Sequence, residues 1–245
     1  MGSNLYVAVS GAIARARELD VVANNLANVD TTGFKRDRAT FETALQSSLQ
    51  GVDGRPIAGD PGRAFVRTNG VTVDPSAGAV AMTGGALDAA IEGPGFFAVE
   101  TPAGTRYTRA GAFVANSAHQ LSTPDGYPVL GSGGPIALGD RSVRIRADGD
   151  VVADDGISVG KLRIVKFAQG APLEKEGRNL FRAPAGAAPE DVTDPRLVEG
   201  AVERANVEPV SELASMVVLH RAFDVAMQVL QADDQATQKL IREVS

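Results

Sequence analysis

The sequence predicts a mainly β protein with α-helical termini: a central all-β domain, and a coiled-coil-like domain in which the N- and C-terminal helices pair. Three observations support this fold class. Both ends are almost free of glycine and proline and carry apolar residues at helical spacing. Nearly all glycines and prolines lie between Gly51 and Gly200. Short β-prone runs separated by turn signals occupy that middle part, which is typical of an all-β sandwich or open barrel.

The first helix is predicted over residues 3–28. Its apolar residues alternate between two heptad positions of a narrow helix-pairing seam: Leu5, Val9, Ala12, Ala16, Leu19, Ala23 and Leu26. Because this seam is rich in alanine, a partner helix must approach it closely. The helix is predicted to end over residues 28–33, since Thr31, Thr32 and Gly33 disfavour its continuation.

A second helix of about 30 residues is predicted over 211–243, a stretch without glycine or proline. Its seam positions are three and four residues apart: Leu213, Met216, His220, Phe223, Met227, Leu230, Asp234, Thr237 and Ile241. Ser211, which follows Pro209, is the predicted N-cap. The seam becomes more polar toward its end.

The middle of the chain contains the predicted strands. They cover residues 95–100, 106–108, 143–146 and 161–167, and hairpin-type turns are predicted at the Asp-Gly pairs 125–126, 148–149 and 155–156. Residues 36–60 are predicted to be a connector, in which 40–49 continue a helix and 51–62 form a loop.

Composition excludes several classes of function. The chain has 245 residues, a formal net charge of -6 and no cysteine, so it has neither a basic footprint for nucleic acid nor a thiolate for catalysis or metal binding. No uninterrupted apolar run approaches the length of a membrane span. Arg15, Arg17 and Glu18 interrupt the first apolar stretch, so we expect no cleaved secretory signal.

Catalytic motifs are also missing from the sequence. Residues 131–133 have the wrong spacing for a nucleophile elbow, and 93–95 lack the third glycine of a dinucleotide loop. The acidic cluster Asp148, Asp150, Asp154 and Asp155 fails as a calcium loop because Val159 stands where a glutamate is needed. The two hairpin turns explain these aspartates better. The sequence therefore predicts no enzymatic activity, no cofactor and no metal site.

Two questions stay open on pattern alone. Helices with seams this narrow are marginal by themselves, so they must pack either on the β domain or on copies of the chain. Asn24, Asn25 and Asn28 are poor helix formers. They form either a solvated face with a fraying end or a set of amide hydrogen bonds to neighbouring subunits.

Five segments of the chain resemble bacterial flagellar rod and hook proteins. Residues 19–35 (LDVVANNLANVDTTGFK) match the N-terminal signature of that family, and residues 87–99 and 107–113 match its entry into the β domain. Residues 200–210, followed by Arg-Ala-Phe-Asp at 221–224, match the C-terminal signature. Within the family, residues 134–136 and 159–167 are most similar to proximal-rod members, with distal-rod members as the alternative.

Two positions depart from the family pattern. Ala205 stands where a serine is usual before Asn206, and Gly85-Ala86 replaces the usual Asn-Pro. These departures leave the family resemblance intact and bear only on the choice between proximal-rod and distal-rod members.

The resemblance implies a structural role. Such proteins are exported by the flagellar type III apparatus without a cleaved signal, and assemble in the periplasm with copies of themselves and other rod proteins into a tubular driveshaft for motor torque. It implies an assembly domain of 1–35 with 205–245, a connector over 36–75 and an outer β domain over 76–204. The expected subunit interface comprises Leu5, Val9, Leu19, Asn24, Asn25, Leu26, Asn28, Asn206, Leu213, Met216, Phe223, Met227 and Leu230. The alternative function is a soluble β-domain binding module with dimerising helical arms.

Overall fold

The computed structural model describes the backbone over residues 2–46, 63–168, 173–177, 179–184 and 186–244. Side chains are described over 9–40 and from 70 onward, except at the gaps just named and at several positions after 232. Contacts divide the chain into two compact units. A helical unit comprises Met1–Leu26, Asp37–Thr72 and Glu208–Ser245, and a β unit comprises Ala27–Arg36 and Val73–Val207.

The helical unit contains the two predicted helices, α1 (Gly2–Ala27) and α2 (Pro209–Val244). α1 ends within one residue of the predicted boundary. α2 begins two residues before the predicted cap, because Pro209 suits the first helical position, where no amide donor is needed. The first intrahelical bond runs from the amide of Glu212 to the carbonyl of Glu208, 3.0 Å away. The prediction of helical termini is confirmed, and their coiled-coil pairing stays a prediction.

The helical unit also contains two paired strands, β1 (Asp37–Gln46) and β2 (Arg63–Val73). The predicted helix over 40–49 is therefore wrong for residues 40–46, and 47–49 lie outside the described residues, as does the predicted loop over 51–62. Thr40 and Thr43 are β-branched and favour a strand once a partner is present. Thr40 Oγ1 donates to the carbonyl of Gly70, 3.1 Å away on the neighbouring strand.

The β unit is built from short strands, as predicted. They are β3 Val80–Met82, β4 Ala89–Ile91, β5 Phe96–Thr101, β6 Gly104–Thr108, β7 Val114–Ala115, β8 Leu121–Ser122, β9 Leu130–Gly131, β10 Gly134–Pro135, β11 Val143–Ile145, β12 Asp150–Ala153, β13 Ser158–Lys161, β14 Ile164–Lys166, β15 Glu174–Glu176, β16 Leu180–Arg182, β17 Glu190–Asp191, β18 Leu197–Glu199 and β19 Ala201–Glu203. A six-stranded sheet has the order β15-β16-β6-β5-β14-β17, and β11-β12-β13 form a second sheet. The other strands form two-stranded pairs, among them β3 with β19 and β4 with β18.

Two apolar clusters lie on opposite faces of β5. Phe97 and Val99 point into the larger cluster, and Ala98 points into a smaller one with Tyr107 and Phe181. This alternation is the two-residue period of a strand, and it buries β5 on both faces. At roughly 1.5–3 kcal/mol for each large apolar side chain buried, these clusters are a main source of stability in the β unit.

The predicted hairpin turns are confirmed. Gly126, Gly149 and Gly156 have φ angles of 88°, 84° and 82°, which glycine adopts without strain. The carboxylates of Asp148 and Asp155 accept backbone amides two residues on, at 3.1 and 3.0 Å. These bonds account for two members of the acidic cluster. The strand predicted over 161–167 is split, since β13 ends at Lys161 and β14 begins at Ile164.

Candidate functional site

α2 carries a stripe of exposed valines. Val218, Val225 and Val229 are 66%, 59% and 55% exposed. At about 100° per residue they lie within one narrow sector of the helix. Such apolar side chains gain free energy when they leave water, so this valine stripe (Val218, Val225 and Val229) is a candidate contact surface.

The predicted seam of α2 lies on a different side. Met216, Phe223 and Leu230 are seven residues apart and each is half-buried, as a helix-pairing seam predicts. Leu213 and Met227, also predicted as interface residues, are 49% and 37% exposed. α2 therefore has apolar residues on more than one face.

By length and composition, residues Pro209–Ala232 of α2 could cross a membrane. Their mean hydropathy is 1.4 and no residue of the most apolar 18-residue window is buried. Uninterrupted apolar runs do not reveal this segment, and the expectation that no helix of the chain spans a membrane stays a prediction. A helix that packs among other helices on several sides has the same composition.

In α1 the described part of the predicted seam is partly covered. Leu19 and Leu26 are half-buried, Ala12 is buried, and Val9 is exposed. The side chain of Leu5 lies outside the described residues.

The three asparagines at the end of α1 have different environments. Asn24 is exposed, whereas Asn25 is 1% exposed and Asn28 is buried. The Asn25 amide exchanges two hydrogen bonds with the backbone of Asp37: Nδ2 donates to its carbonyl at 2.9 Å and Oδ1 accepts its amide at 2.8 Å. Asn28 Oδ1 accepts the hydroxyl of Thr31. The Asn25 side chain thus pairs with both backbone groups of Asp37, the first residue of β1, as a neighbouring strand would. At 1% exposed, it has little surface left for another subunit.

In the β unit, a buried carboxylate joins three segments that are far apart in sequence. Glu203 is 2% exposed. Its Oε1 accepts Lys35 Nζ at 2.6 Å and the amide of Gly78 at 2.8 Å, and its Oε2 is 2.8 Å from Arg109 Nε. We name Lys35, Arg109 and Glu203 the ionic junction. Sequence reasoning did not identify these three residues, although each lies inside a signature segment.

The ionic junction holds two cations and one anion away from water. Burial lowers the pKa of Lys35, and its hydrogen bond and attraction to Glu203 act in the opposite direction. Burial also lowers the pKa of Arg109, again opposed by Glu203. The second guanidinium edge of Arg109 donates to the carbonyls of Gly95 and Gly93, at 2.8 and 2.9 Å. The charge of Glu203 is therefore what makes burial of both cations tolerable.

Asn206 adds a second connection beside the ionic junction. Its Oδ1 accepts the amide of Arg36 at 2.6 Å, and its Nδ2 donates to the carbonyls of Asp74 and Ser76 at 3.2 and 3.0 Å. This residue was predicted to lie at a subunit interface. The structure shows its amide bonded within the β unit.

Residues 33–35 are fixed in the β unit by backbone and ring contacts. Gly33 has a φ of 67°, and its amide donates to the carbonyl of Glu203 at 2.8 Å. Phe34 is buried, and Lys175 Nζ lies 3.5 Å from its ring centroid, a cation–π contact. The same ammonium donates to the carbonyl of Lys35 at 2.8 Å. The N-terminal signature is thus part of the β unit from Ala27 to Arg36.

Comparison with known proteins gives matches along most of the chain. Three family models match: flagella basal body rod protein over residues 5–35, flagellar hook protein FlgE/F/G D1 domain over 90–156, and flagellar basal body rod FlgEFG protein C-terminal over 198–243. The chain belongs to the flagellar basal-body rod protein family. The flagellar basal-body rod protein FlgF of Caulobacter vibrioides is 37% identical, covering 91% of this chain and 90% of the relative. FlgG of Bacillus subtilis is 35% identical over 97% of both chains.

Proposed function

We propose that this chain is a structural subunit of the flagellar basal-body rod, which assembles through its terminal helices with copies of itself and with other rod proteins and so transmits motor torque. The observation that carries the proposal is the exposed valine stripe of α2. The half-buried seam already occupies another face of the helix, so the stripe is available to a neighbouring subunit.

Energetics favour assembly over an isolated helix. Full burial of a valine contributes roughly 1.5 kcal/mol or more. The three stripe valines each have more than half of their surface left to bury. In a rod, every subunit makes such contacts with its neighbours, so their free energies sum along the assembly even when the interface between any two subunits is small. Leu213 and Met227 are also exposed, but they lie on the seam side of α2. Together with Val9, Leu19 and Leu26 of α1, they form a second part of the proposed contact surface.

Within the family, we propose a proximal-rod role, with a distal-rod role as the alternative. The segments 134–136 and 159–167 favour the first, and relatives of both FlgF and FlgG type are similar to the chain at 37% and 35% identity. The proposal includes export by the flagellar type III apparatus without a cleaved signal and a periplasmic location in the basal body. It requires no cofactor, no nucleic acid and no catalytic group.

The test uses full-length variants in cells that lack their own copy of the protein. Val225→Asp places a charge in the valine stripe, where burial against a neighbour is expensive. Gln231→Asp is the control, because it adds the same charge at an exposed polar position of α2. We expect Val225→Asp to abolish swimming and rod formation, with a circular dichroism spectrum like that of the native chain, and Gln231→Asp to preserve both. Normal rods with Val225→Asp would contradict the proposal.

The binding-module alternative predicts a different result. A module that binds its partner only through the β unit should still bind it in Val225→Asp, which places a charge in the valine stripe. Deleting residues 1–35 and 205–245 would not separate the two functions, because it removes Lys35 and Asn206 from the β unit. Single substitutions in α2 avoid this difficulty.

A further inference from the structure

Each of three signature segments contributes one charged side chain to the ionic junction. Lys35 ends the N-terminal signature, Arg109 lies in the segment over 107–113, and Glu203 lies in the C-terminal signature. Lys35 and Glu203 are 168 residues apart in sequence. The shared motifs therefore meet in one buried cluster inside the β unit.

The ionic junction ties together the two stretches through which the β unit continues into the terminal helices. The first is Ala27–Arg36, which follows α1, and the second runs from β19 to Val207, two residues before α2. Several contacts cross between these stretches, among them the bond from the Gly33 amide to the carbonyl of Glu203, the Lys35–Glu203 pair, and the bond from the Arg36 amide to Asn206. If the carboxylate is lost, the Lys35 ammonium loses its anion, and the backbone bonds beside it lose the ion pair that holds the two stretches together.

We propose that the ionic junction is a conformational lock, and that rod assembly requires it to be closed. This inference rests on the proposed function, since it makes assembly by the helices dependent on a contact formed in the β unit. The lock couples both ends of the chain, so a molecule in which only one end has folded cannot close it.

The lock can open without unfolding the β unit. None of its three residues belongs to either apolar cluster of the β unit. Local opening has a free energy of its own and can leave a packed core intact. Glu203→Gln keeps the side-chain volume but leaves Lys35 and Arg109 buried with no anion between them.

Amide hydrogen exchange of the full-length chain reports on the lock directly. The amide of Gly78 donates to the carboxylate of Glu203, and the amide of Gly33 donates to its backbone carbonyl. The amide of Val129 donates to Leu121 in the larger apolar cluster. With Glu203→Gln we expect exchange at Gly33 and Gly78 to rise by about a hundredfold or more, exchange at Val129 to stay unchanged, and motility to be lost. Glu190→Gln, at an exposed ion pair with Lys166, is the matched control and should change neither.

Three results would overturn the lock. Exchange at Gly33 and Gly78 that stays slow in Glu203→Gln shows that the carboxylate does not hold the junction. Fast exchange together with normal rods shows that assembly ignores it. Fast exchange at Val129 as well shows that the junction is inseparable from the fold.

A second variant tests the charge argument if Glu203→Gln folds poorly. Lys35→Met leaves the neutral Arg109–Glu203 pair, so exchange at Gly78 should rise less than in Glu203→Gln. An equal or larger rise contradicts the role of Glu203 as shared anion. Failure of the proposed function is recognised separately, because Val225→Asp should block assembly with unchanged exchange at Gly33 and Gly78.

Discussion

Gly33→Ala should destabilise the chain far more than its small size suggests. Gly33 has a φ of 67°, and an added Cβ would overlap the amide nitrogen of Ala110 and the carbonyl carbon of Arg109, and lie 2.6 Å from the Ala110 Cα. The left-handed conformation alone costs an alanine roughly 1–2 kcal/mol. The overlap is with backbone, which cannot rotate away, so the segment has to move.

The movement adds a second cost. It stretches the 2.8 Å bond from the Gly33 amide to the Glu203 carbonyl and displaces the neighbouring ionic junction. Each buried polar group left without its partner costs about 1–3 kcal/mol. The total expected loss in the free energy of unfolding is therefore about 2–5 kcal/mol.

Gly139→Ala is the matched control for this substitution. Gly139 has a φ of 63° and open space where a Cβ would lie, so it carries the conformational cost without the overlap. Urea unfolding of both full-length variants, followed by near-ultraviolet circular dichroism of the tyrosines, gives the difference. If Gly33→Ala lost no more stability than Gly139→Ala, the close approach of Gly33 to Ala110 would not matter and the reasoning would be refuted.

Two further predictions concern single side chains. Asn25→Ala should destabilise the helical unit by about 1–3 kcal/mol, because the part-buried backbone amide and carbonyl of Asp37 lose their partner. Hydrogen exchange at the Asp37 amide should become faster, and unchanged exchange would contradict this prediction. Burial lowers the pKa of Lys35 below its usual 10.5, so the unfolded chain binds more protons between the two values, and this residue makes stability rise as the pH increases through that window. Tyr107, whose pKa burial raises from 10.0, acts in the opposite direction near the same pH. The test compares the urea midpoint of unfolding at about pH 8 with that at about pH 10. The midpoint at the higher pH minus that at the lower pH should be more positive for the native chain than for Lys35→Met, which retains Tyr107. Equal differences in the two chains would contradict the prediction.

The sequence pattern predicted the elements that are determined by residues close to one another in sequence. The helix end near Asn28, the Asp-Gly turns and the run 95–100 each follow from residues close in sequence, and the structure confirms them. The segment 40–46 was predicted as a helix because its own residues allow one. Its strand conformation depends on β2, which begins at residue 63, and no pattern within the segment contains that information.

The ionic junction could not be predicted for a related reason. Lys35, Arg109 and Glu203 are each unremarkable in sequence, since isolated charges are usually exposed. Only the chain path that brings residues 35 and 203 together makes them a cluster. The available signal was that each of the three residues lies directly before or after an apolar residue inside a motif. That signal does not show that the three residues contact one another until the fold is known.

The interface role expected of the signature asparagines stays a prediction, and the structure shows that Asn25 and Asn206 already have hydrogen-bond partners within the chain. Polar side chains in a helix that resembles an assembly element suggest intersubunit hydrogen bonds, yet the amides of Asn25 and Asn206 bond to backbone groups of their own chain. Such bonds require an amide side chain, because its donor and its acceptor must pair at the same time with a backbone acceptor and donor at fixed positions. The valine stripe has no such requirement, since dispersion and the hydrophobic effect act without direction. It follows that substitutions of Asn25 or Asn206 should act on folding, and that the surface at which subunits meet should tolerate exchange among apolar residues while rejecting charge.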